Sequence, residues 1–451
     1  MARTYTILYN NRLIAVMVVA ALACACDGKE DWISDLEPSP SYEDNTYEEI
    51  TPGREIDEDT RKVMLLYSAG VNSLYSFLAS DIRDLCSGWL PKTRRTDDVL
   101  LIYSHIGTSG YANNTYEPTL TRVYTDNEGT VFKDTLVTYP EETVSSSAEQ
   151  LNKVLTYVRD RFPAKSYGMI FSSHATGYLP SGYYSGYSES VFNAARRRQD
   201  VRPAVPVPYI VPEHDPSLPM VKSIGQDVSG SLSYEMELSD FAAAIPMKLD
   251  YLLFDACLMG GIETAYELKE KCSRLGASQT EVLAEGFNYE TLTTHLLYNR
   301  NEADPASVCE DYFRQYDIQN GVYRSATISL IDCGRLEPLA ELCRELFEKY
   351  RTGLDGITPS KVQRFYRSSK HWFYDLESII TEAGATEEDL LRLQTVLDDC
   401  VIYKGNTPSF MGAFNIDTFS GFSMYLPCNG STELDEFYRT LKWNEATGLV
   451  R

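Results

Sequence analysis

The sequence predicts an α/β fold in which a mainly parallel sheet carries helices on both of its faces. Short apolar runs, typical of buried strands, alternate with longer segments that have the spacing of amphipathic helices. Such alternation is typical of parallel sheets whose strands are joined by helices. Residues 61–451 are enough for one large domain of this kind with an appended C-terminal α/β part.

Each element rests on a local pattern. A hairpin is predicted over residues 119–138, where polar and apolar residues alternate around Asp-Asn-Glu-Gly at 126–129. Strands are predicted at the apolar runs 63–67, 98–103, 167–172, 250–254 and 421–426. Helices are predicted from Ser73 onward, over 146–161 with Ser147 as the cap, and over 240–245, 262–272, 335–350 and 387–402.

The N-terminus is predicted to be an export signal with a lipid attachment site. Two arginines precede an apolar run of 14 residues, 13–26, which is too short for a stable membrane span. The run ends in small residues and resembles the lipobox of Gram-negative lipoproteins, with Cys26 as the predicted lipidated residue and Cys24 as the alternative. Residues 1–26 are therefore predicted to be a lipoprotein signal peptide that leads to the outer membrane or cell surface. An ordinary signal peptide with incidental cysteines is the other interpretation.

An acidic segment follows the export signal. Residues 27–60 contain 13 Asp or Glu residues and two basic residues, and they supply 11 of the 24 net negative charges. We predict that this segment is a disordered tether, extended by its own repulsion. An acidic protein is a poor candidate for binding a phosphate backbone, so no nucleic-acid partner is expected.

Neither a metal nor another cofactor is predicted. The cysteines after Cys26 form no CxxC pair, which speaks against a structural zinc site. The scattered carboxylates could bind calcium, although the spacing of an EF-hand is not present. Serine-hydrolase, zinc-peptidase and phosphate-loop motifs are also absent from the sequence.

Two reactive side chains follow predicted strands. His174 comes after the strand that ends at residue 172, and Cys257 comes after the strand that ends at residue 254. Open α/β sheets bind ligands beyond the carboxyl ends of their strands, so a thiol and an imidazole there could act as nucleophile and proton donor. Either residue alone is more often structural, and the shared context of the two favours catalysis.

The sequence around these residues resembles that of the clostripain-like cysteine peptidases, which share their sheet and their Cys/His dyad with caspases, gingipains and legumains. The most specific stretch is FDACLMG at 254–260, together with His-x-x-Gly at 174–177. Further similarity lies at residues 234–240, 263–266, 277–281, 286–289 and 421–427. The resemblance implies a caspase-like peptidase domain over residues 61–330, completed by residues 331–451.

The resemblance also implies roles for individual residues. Cys257 would attack the scissile carbonyl, and His174 would protonate the leaving amine or polarise the amide. Backbone N–H groups of Cys257 and Ala175 would stabilise the oxyanion. The family usually has glycine at the position of Ala175, and an alanine is compatible with this role only if its backbone conformation admits a Cβ.

Asp255 is the predicted specificity residue. In an extended segment it shares a face with Cys257, and a carboxylate there can bind a guanidinium through two hydrogen bonds. The resemblance likewise puts this aspartate at the floor of the first specificity pocket, where it selects protein or peptide substrates with Arg or Lys before the cut. The structural alternative is an aspartate that caps the following turn.

An insertion between the third and fourth predicted strands suggests self-cleavage. Residues 181–230 are rich in Tyr, Ser, Gly and Pro and predict a long exposed loop without regular elements. The loop contains the consecutive arginines Arg196, Arg197 and Arg198. For a peptidase that selects arginine, we predict a zymogen that is clipped after one of them. A catalytically silent surface-binding lipoprotein on the same fold is the alternative function.

Overall fold

The computed structural model describes residues 61–92, 98–108, 115–184, 205–208, 217–221, 227–229, 232–298, 302–368 and 372–451. Three predictions lie outside these residues: the signal peptide with Cys26, the tether over 27–60, and the arginines at 196–198.

The strands of the described chain are β1 (Lys62–Gly70), β2 (Val99–Ile106), β3 (Thr119–Thr125), β4 (Val131–Thr138), β5 (Ser166–Ser172), β6 (Val205–Pro208), β7 (Asp227–Ser229), β8 (Leu232–Glu235), β9 (Leu249–Asp255), β10 (Cys272–Ala277), β11 (Thr327–Asp332), β12 (Tyr374–Asp375), β13 (Val401–Asn406), β14 (Ser409–Phe410), β15 (Phe414–Asn415) and β16 (Ser423–Met424). Its α-helices are α1 (Tyr75–Ser87), α2 (Ala148–Arg161), α3 (Leu238–Ala244), α4 (Ile262–Leu268), α5 (Tyr289–Thr293), α6 (Pro305–Asp317), α7 (Leu336–Lys349), α8 (Arg351–Asp355), α9 (Leu376–Glu382), α10 (Glu387–Cys400), α11 (Thr432–Tyr438) and α12 (Lys442–Thr447).

The central sheet has the strand order β13-β11-β10-β9-β5-β1-β2-β3-β4. Its five middle strands, from β10 to β2, are parallel, and two antiparallel strands continue the sheet on each side. Every residue of β1 is buried, as expected for a strand that is covered on both faces. The predicted α/β class with a mainly parallel sheet is therefore confirmed.

Two local predictions are also confirmed. Helix α2 follows Ser147, whose side chain accepts a hydrogen bond from the backbone N–H of Gln150. In the hairpin between β3 and β4, Asp126 Oδ1 accepts a hydrogen bond from the backbone N–H of Thr130. Gly129 in the same turn has a φ of +88°, a conformation that glycine adopts without strain.

Two predicted helices are too long. The helix predicted over residues 262–272 gives way to β10 at Cys272, and the helix predicted over 387–402 gives way to β13 at Val401. In both places a strand follows the helix almost directly, and apolar spacing alone does not separate the two. None of the described helices has the length and apolar character needed to cross a membrane.

The prediction of an irregular loop over residues 181–230 is wrong in two places. Strands β6 and β7 fall inside this range and pair with the two edges of β8. Strand β6 carries Pro206 and Pro208, and prolines, which lack an N–H, fit an edge strand. Of the strand predicted over 421–426, only β16 pairs with β12, and Gly421, with a φ of +99°, lies outside the extended conformation before the strand begins.

Candidate active site

Strands β5 and β9 are hydrogen-bonded neighbours in the parallel part of the sheet. Ser172 is paired with Asp255 where the two strands end. His174 and Cys257 each lie two residues further along the chain, so both leave the C-terminal edge of the sheet at the same level. This edge is where open α/β sheets bind ligands.

The turn at Cys257 is held by the chain segment that follows β10. The Cys257 side chain is fully buried, and its Sγ accepts a hydrogen bond from the backbone N–H of Val282 at 3.0 Å. A backbone N–H donated to sulfur favours a thiolate, whereas the longer bond that the thiol donates to the Val282 carbonyl oxygen, at 3.8 Å, favours the thiol. Leu258 donates its N–H to the Thr280 carbonyl and has a φ of +62°, a strain of about 1–3 kcal/mol that is typical of functional turns.

His174 is buried and is contacted by a hydroxyl from a third strand end. Only 7% of His174 is exposed, and Ser73 Oγ lies 3.2 Å from its Nε2. Ser73 follows β1, the strand next to β5, so three neighbouring strands deliver Ser73, His174 and Cys257 to one edge. Ser73 is not among the predicted site residues, although it follows an apolar strand just as His174 does.

Ala175 is free of the backbone strain that an alanine could have introduced beside His174. Among the non-glycine residues of the described chain, only Leu258 and Met411 have a positive φ. Ala175 therefore has a conformation that admits a Cβ. An alanine where similar sequences carry glycine is compatible with the predicted use of its N–H.

Gly177 allows the loop after β5 to pack directly on the turn at Cys257. It has a φ of +64°, and a Cβ built on it would lie 2.6 Å from the Leu258 carbonyl oxygen and 2.7 Å from Cε1 of Phe373. Both the backbone conformation and the available space therefore require glycine at this position.

We expect Gly177→Ala to reduce the free energy of unfolding by about 2–4 kcal/mol, from the left-handed conformation and from the clash. Urea unfolding measures this change. Gly448→Ala is the matched control, because Gly448 has the same φ of +64° and nothing lies within 4 Å of its Cβ position. The control should lose only about 1 kcal/mol. Equal losses in the two variants would show that the contact with Leu258 is unimportant.

Asp255 is buried and hydrogen-bonded at the end of β9. Its Oδ2 accepts hydrogen bonds from Tyr289 OH at 2.5 Å and from Ser172 Oγ at 3.1 Å. Burial, and then the negative charge of Asp255, raise the pKa of Tyr289 well above its usual range, so the phenol stays a donor. Gly286 has a φ of +62°, and a Cβ there would lie 2.4 Å from both carboxylate oxygens of Asp255. The Asp255 carboxylate therefore packs against the backbone of Gly286, where a side chain would not fit.

An aromatic cluster connects the start of the insertion to the C-terminal part of the chain. Tyr184 is hydrogen-bonded through its hydroxyl to Tyr366, and both rings pack on Trp372. Burial is the main cause that raises the pKa of Tyr184, and the charge of Cys257 makes the smallest contribution. Cys257 itself is completely buried, so the site is closed to solvent at this residue.

Among the described residues, no group of three or more His, Cys, Asp or Glu side chains is placed to hold a metal ion. The described residues therefore do not support the calcium site that the sequence left possible.

This chain is similar to proteins of known structure and to one protein family. Among solved structures, an inactive zymogen of a C11 protease from Parabacteroides distasonis is similar at 25% identity and a TM-score of 0.67, over 86% of this chain and 98% of that one. The secreted C11 cysteine protease iotapain from Bacteroides thetaiotaomicron shares the fold at 23% identity and a TM-score of 0.66, over 86% and 99% of the two chains. No curated protein matches significantly. The sequence profile of the clostripain family matches residues 66–190 and 211–447. Because this match spans most of the chain, the protein belongs to the clostripain family of cysteine peptidases.

Proposed function

We propose that this cysteine peptidase is an endopeptidase that cleaves after Arg or Lys, with Cys257 as nucleophile and His174 as proton donor. The register of β5 and β9 carries the proposal, because it puts both residues at one level of the sheet edge. The hydrogen bond from Val282 N–H to Cys257 Sγ adds to it, because it favours the reactive thiolate.

The reaction follows from these positions. The thiolate attacks the scissile carbonyl, and the N–H groups of Cys257 and Ala175 stabilise the oxyanion. The C–N bond then breaks as His174 gives a proton to the leaving amine, which leaves a thioester on Cys257. Water hydrolyses the thioester and restores the thiol.

Asp255 supports the preference for a cationic side chain before the cut. Its carboxylate is buried two residues before Cys257, on the strand that ends at the site. A guanidinium or ammonium group that reaches this carboxylate is bound through charge-assisted hydrogen bonds in surroundings that exclude water.

We also propose that the protein matures by cleaving itself after Arg196, Arg197 or Arg198. The burial of Cys257 supports this, and so does Tyr184 at the start of the insertion, which is hydrogen-bonded to Tyr366 in the C-terminal part of the chain. The similar Parabacteroides protein was solved as an inactive zymogen. Cutting the insertion would free this end of the chain and allow Tyr184 to move away.

Replacing Arg196, Arg197 and Arg198 together by alanine is expected to block the conversion of the purified chain into two associated chains, because it removes the proposed cut site; Arg202 remains but is followed by Pro203. Denaturing electrophoresis over time measures the conversion. Cys257→Ala is the matched control and should show the same block by removing the nucleophile instead of the cut site. Unchanged two-chain maturation in the triple variant would contradict this processing site.

The N-terminal features support a location. We propose that the protein is exported as a lipoprotein of the outer membrane or cell surface, attached through Cys26. Incorporation of labelled palmitate that is lost in Cys26→Ser would support the anchor, and equal labelling of the variant would move it to Cys24 or elsewhere.

A further inference from the structure

A largely buried ion pair next to Val282, the residue that contacts Cys257, has no part in the mechanism above; its Arg367 side chain is 26% exposed. Glu281 is only 2% exposed, and Arg367 donates to both of its carboxylate oxygens, from Nε at 2.5 Å and from Nη2 at 2.8 Å. Glu281 belongs to the segment after β10, whereas Arg367 lies shortly before β12. A two-point bond of this kind fixes the guanidinium in one orientation.

The pair is connected to the nucleophile through a single peptide unit. Glu281 directly precedes Val282, the residue whose N–H donates to Cys257 Sγ at 3.0 Å. Holding the Glu281 side chain therefore restrains the peptide that contacts the sulfur. Burial lowers the pKa of Arg367, but the hydrogen bond and charge of Glu281, followed by the charge of Cys257, raise it overall. The contribution of Cys257 supports a coupling between Arg367 and the nucleophile beside the chain connection through Val282.

Stability does not account for this arrangement. Removing two charges from water offsets most of their attraction, and buried ion pairs are often replaced by apolar residues without loss of stability. A cation next to a thiol has a different effect, because it lowers the pKa of the thiol. The ionisable groups around Cys257 are His174, Asp255, Tyr184, Tyr312, Glu281 and Arg367. Among these, Arg367 is the permanent cation, since His174 must exchange a proton during the reaction.

We propose that Arg367, anchored by Glu281, is a positioning residue that maintains Cys257 as a thiolate and restrains the Val282 N–H against its sulfur. The proposal rests on Cys257 being the nucleophile, as proposed above. The guanidinium cancels the charge of Glu281, which would otherwise oppose the loss of the thiol proton. The two-point bond to Glu281 holds the guanidinium in one orientation. A lysine would preserve the charge without this constraint.

The pH dependence of Cys257 alkylation by iodoacetamide tests the proposal in the full chain after an added protease has clipped its insertion, the form in which we expect Cys257 to be accessible. Peptide mass spectrometry follows the peptide that contains Cys257 separately from the other cysteines. Arg367→Met is expected to raise the apparent pKa of Cys257 by about one unit or more, which makes alkylation roughly tenfold slower below that pKa. Arg367→Lys should recover part of the rate. Because alkylation needs no peptide turnover, this readout is independent of whether the proposed peptidase activity is found.

Arg392→Met is the matched control. Arg392 makes an equivalent two-point bond to Glu345, at 2.8 and 2.7 Å, on the exposed faces of α10 and α7. Its loss should leave the alkylation profile unchanged. The proposal would be overturned if Arg367→Met unfolded like the parent and had the parent's pH profile of alkylation. It would also be overturned if Arg392→Met shifted the apparent pKa of Cys257 by the same amount. If Arg367→Met does not fold, Arg367→Gln decides in the same way, because it removes the charge and preserves a hydrogen bond to Glu281.

Discussion

Replacing Cys257 by alanine is expected to abolish the hydrolysis of peptide reporters that end in Arg or Lys, with kcat/KM lower by about 10⁴-fold or more. Alanine retains the backbone N–H of residue 257, so the proposed oxyanion donor survives. The loss would therefore report on the sulfur, which accepts the Val282 N–H and is the nucleophile in the proposed mechanism. Release of the reporter group over time measures the effect.

Cys343→Ala provides the control for this variant. Cys343 is also a fully buried thiol, but it lies in α7, outside the turn and the strand ends that form the site. Its replacement removes the same atom from a packed interior and should leave the activity close to that of the parent. Equal activity in Cys257→Ala and Cys343→Ala would contradict the assignment of the nucleophile.

Asp255→Asn is expected to reduce cleavage after Arg far more than cleavage after an uncharged residue. Loss of a desolvated charge partner costs roughly 2–5 kcal/mol, or about 30-fold to several thousand-fold in kcat/KM. Asparagine has the same shape and can still accept the hydrogen bonds of Tyr289 and Ser172. The ratio of kcat/KM values for reporters ending in Arg and in Ala measures the selectivity.

Asp250→Asn is the control for a lost carboxylate on the same strand. Asp250 lies at the opposite end of β9, where it accepts a hydrogen bond from Arg274 at 2.6 Å. The Asp250→Asn variant should have the same ratio of kcat/KM values for the Arg and Ala reporters as the parent, even if its free energy of unfolding falls. If Asp255→Asn kept the parent's ratio of kcat/KM values for the Arg and Ala reporters, another group would have to select the cationic side chain.

The strand ends were the most predictable part of the site. Strands β5 and β9 are apolar along most of their length, because strands in the middle of a parallel sheet are covered on both faces by other elements. Such apolar runs are visible in a sequence. His174 and Cys257 follow these runs directly. A parallel register between neighbouring strands then brings the two ends to one level, which the pairing of Ser172 with Asp255 shows.

Other strands could not be predicted because they lack such a run. Strand β10 has the sequence CSRLGA, in which Ser273 and Arg274 interrupt the apolar residues. Strand β13 lies at the edge of the sheet, where one side is open and half-buried residues alternate with exposed ones. Helix α6 did carry a start signal that was overlooked, since Asp304 caps it and Pro305 begins its first turn.

The supporting contacts of the site depend on tertiary structure. Arg367 and Glu281 are 86 residues apart in the chain, and no local pattern indicates that they meet. The φ of Ala175 could not be predicted either, because the same sequence is compatible with a strained or a relaxed turn. The long insertion at 181–230 showed a composition typical of loops, and strands β6 and β7 form there by pairing with β8.

Covalent labelling by a thiol-reactive peptide that ends in Arg tests the central claim most directly. The full chain is labelled with its insertion intact and again after clipping, and peptide mass spectrometry locates the adduct. We expect one adduct, on Cys257 of the clipped chain, and no such adduct from an otherwise identical peptide that ends in Ala. An adduct on another cysteine, such as the exposed Cys428, would contradict the assignment of the nucleophile. No adduct in either form of the chain would favour a catalytically silent binding protein on the same fold.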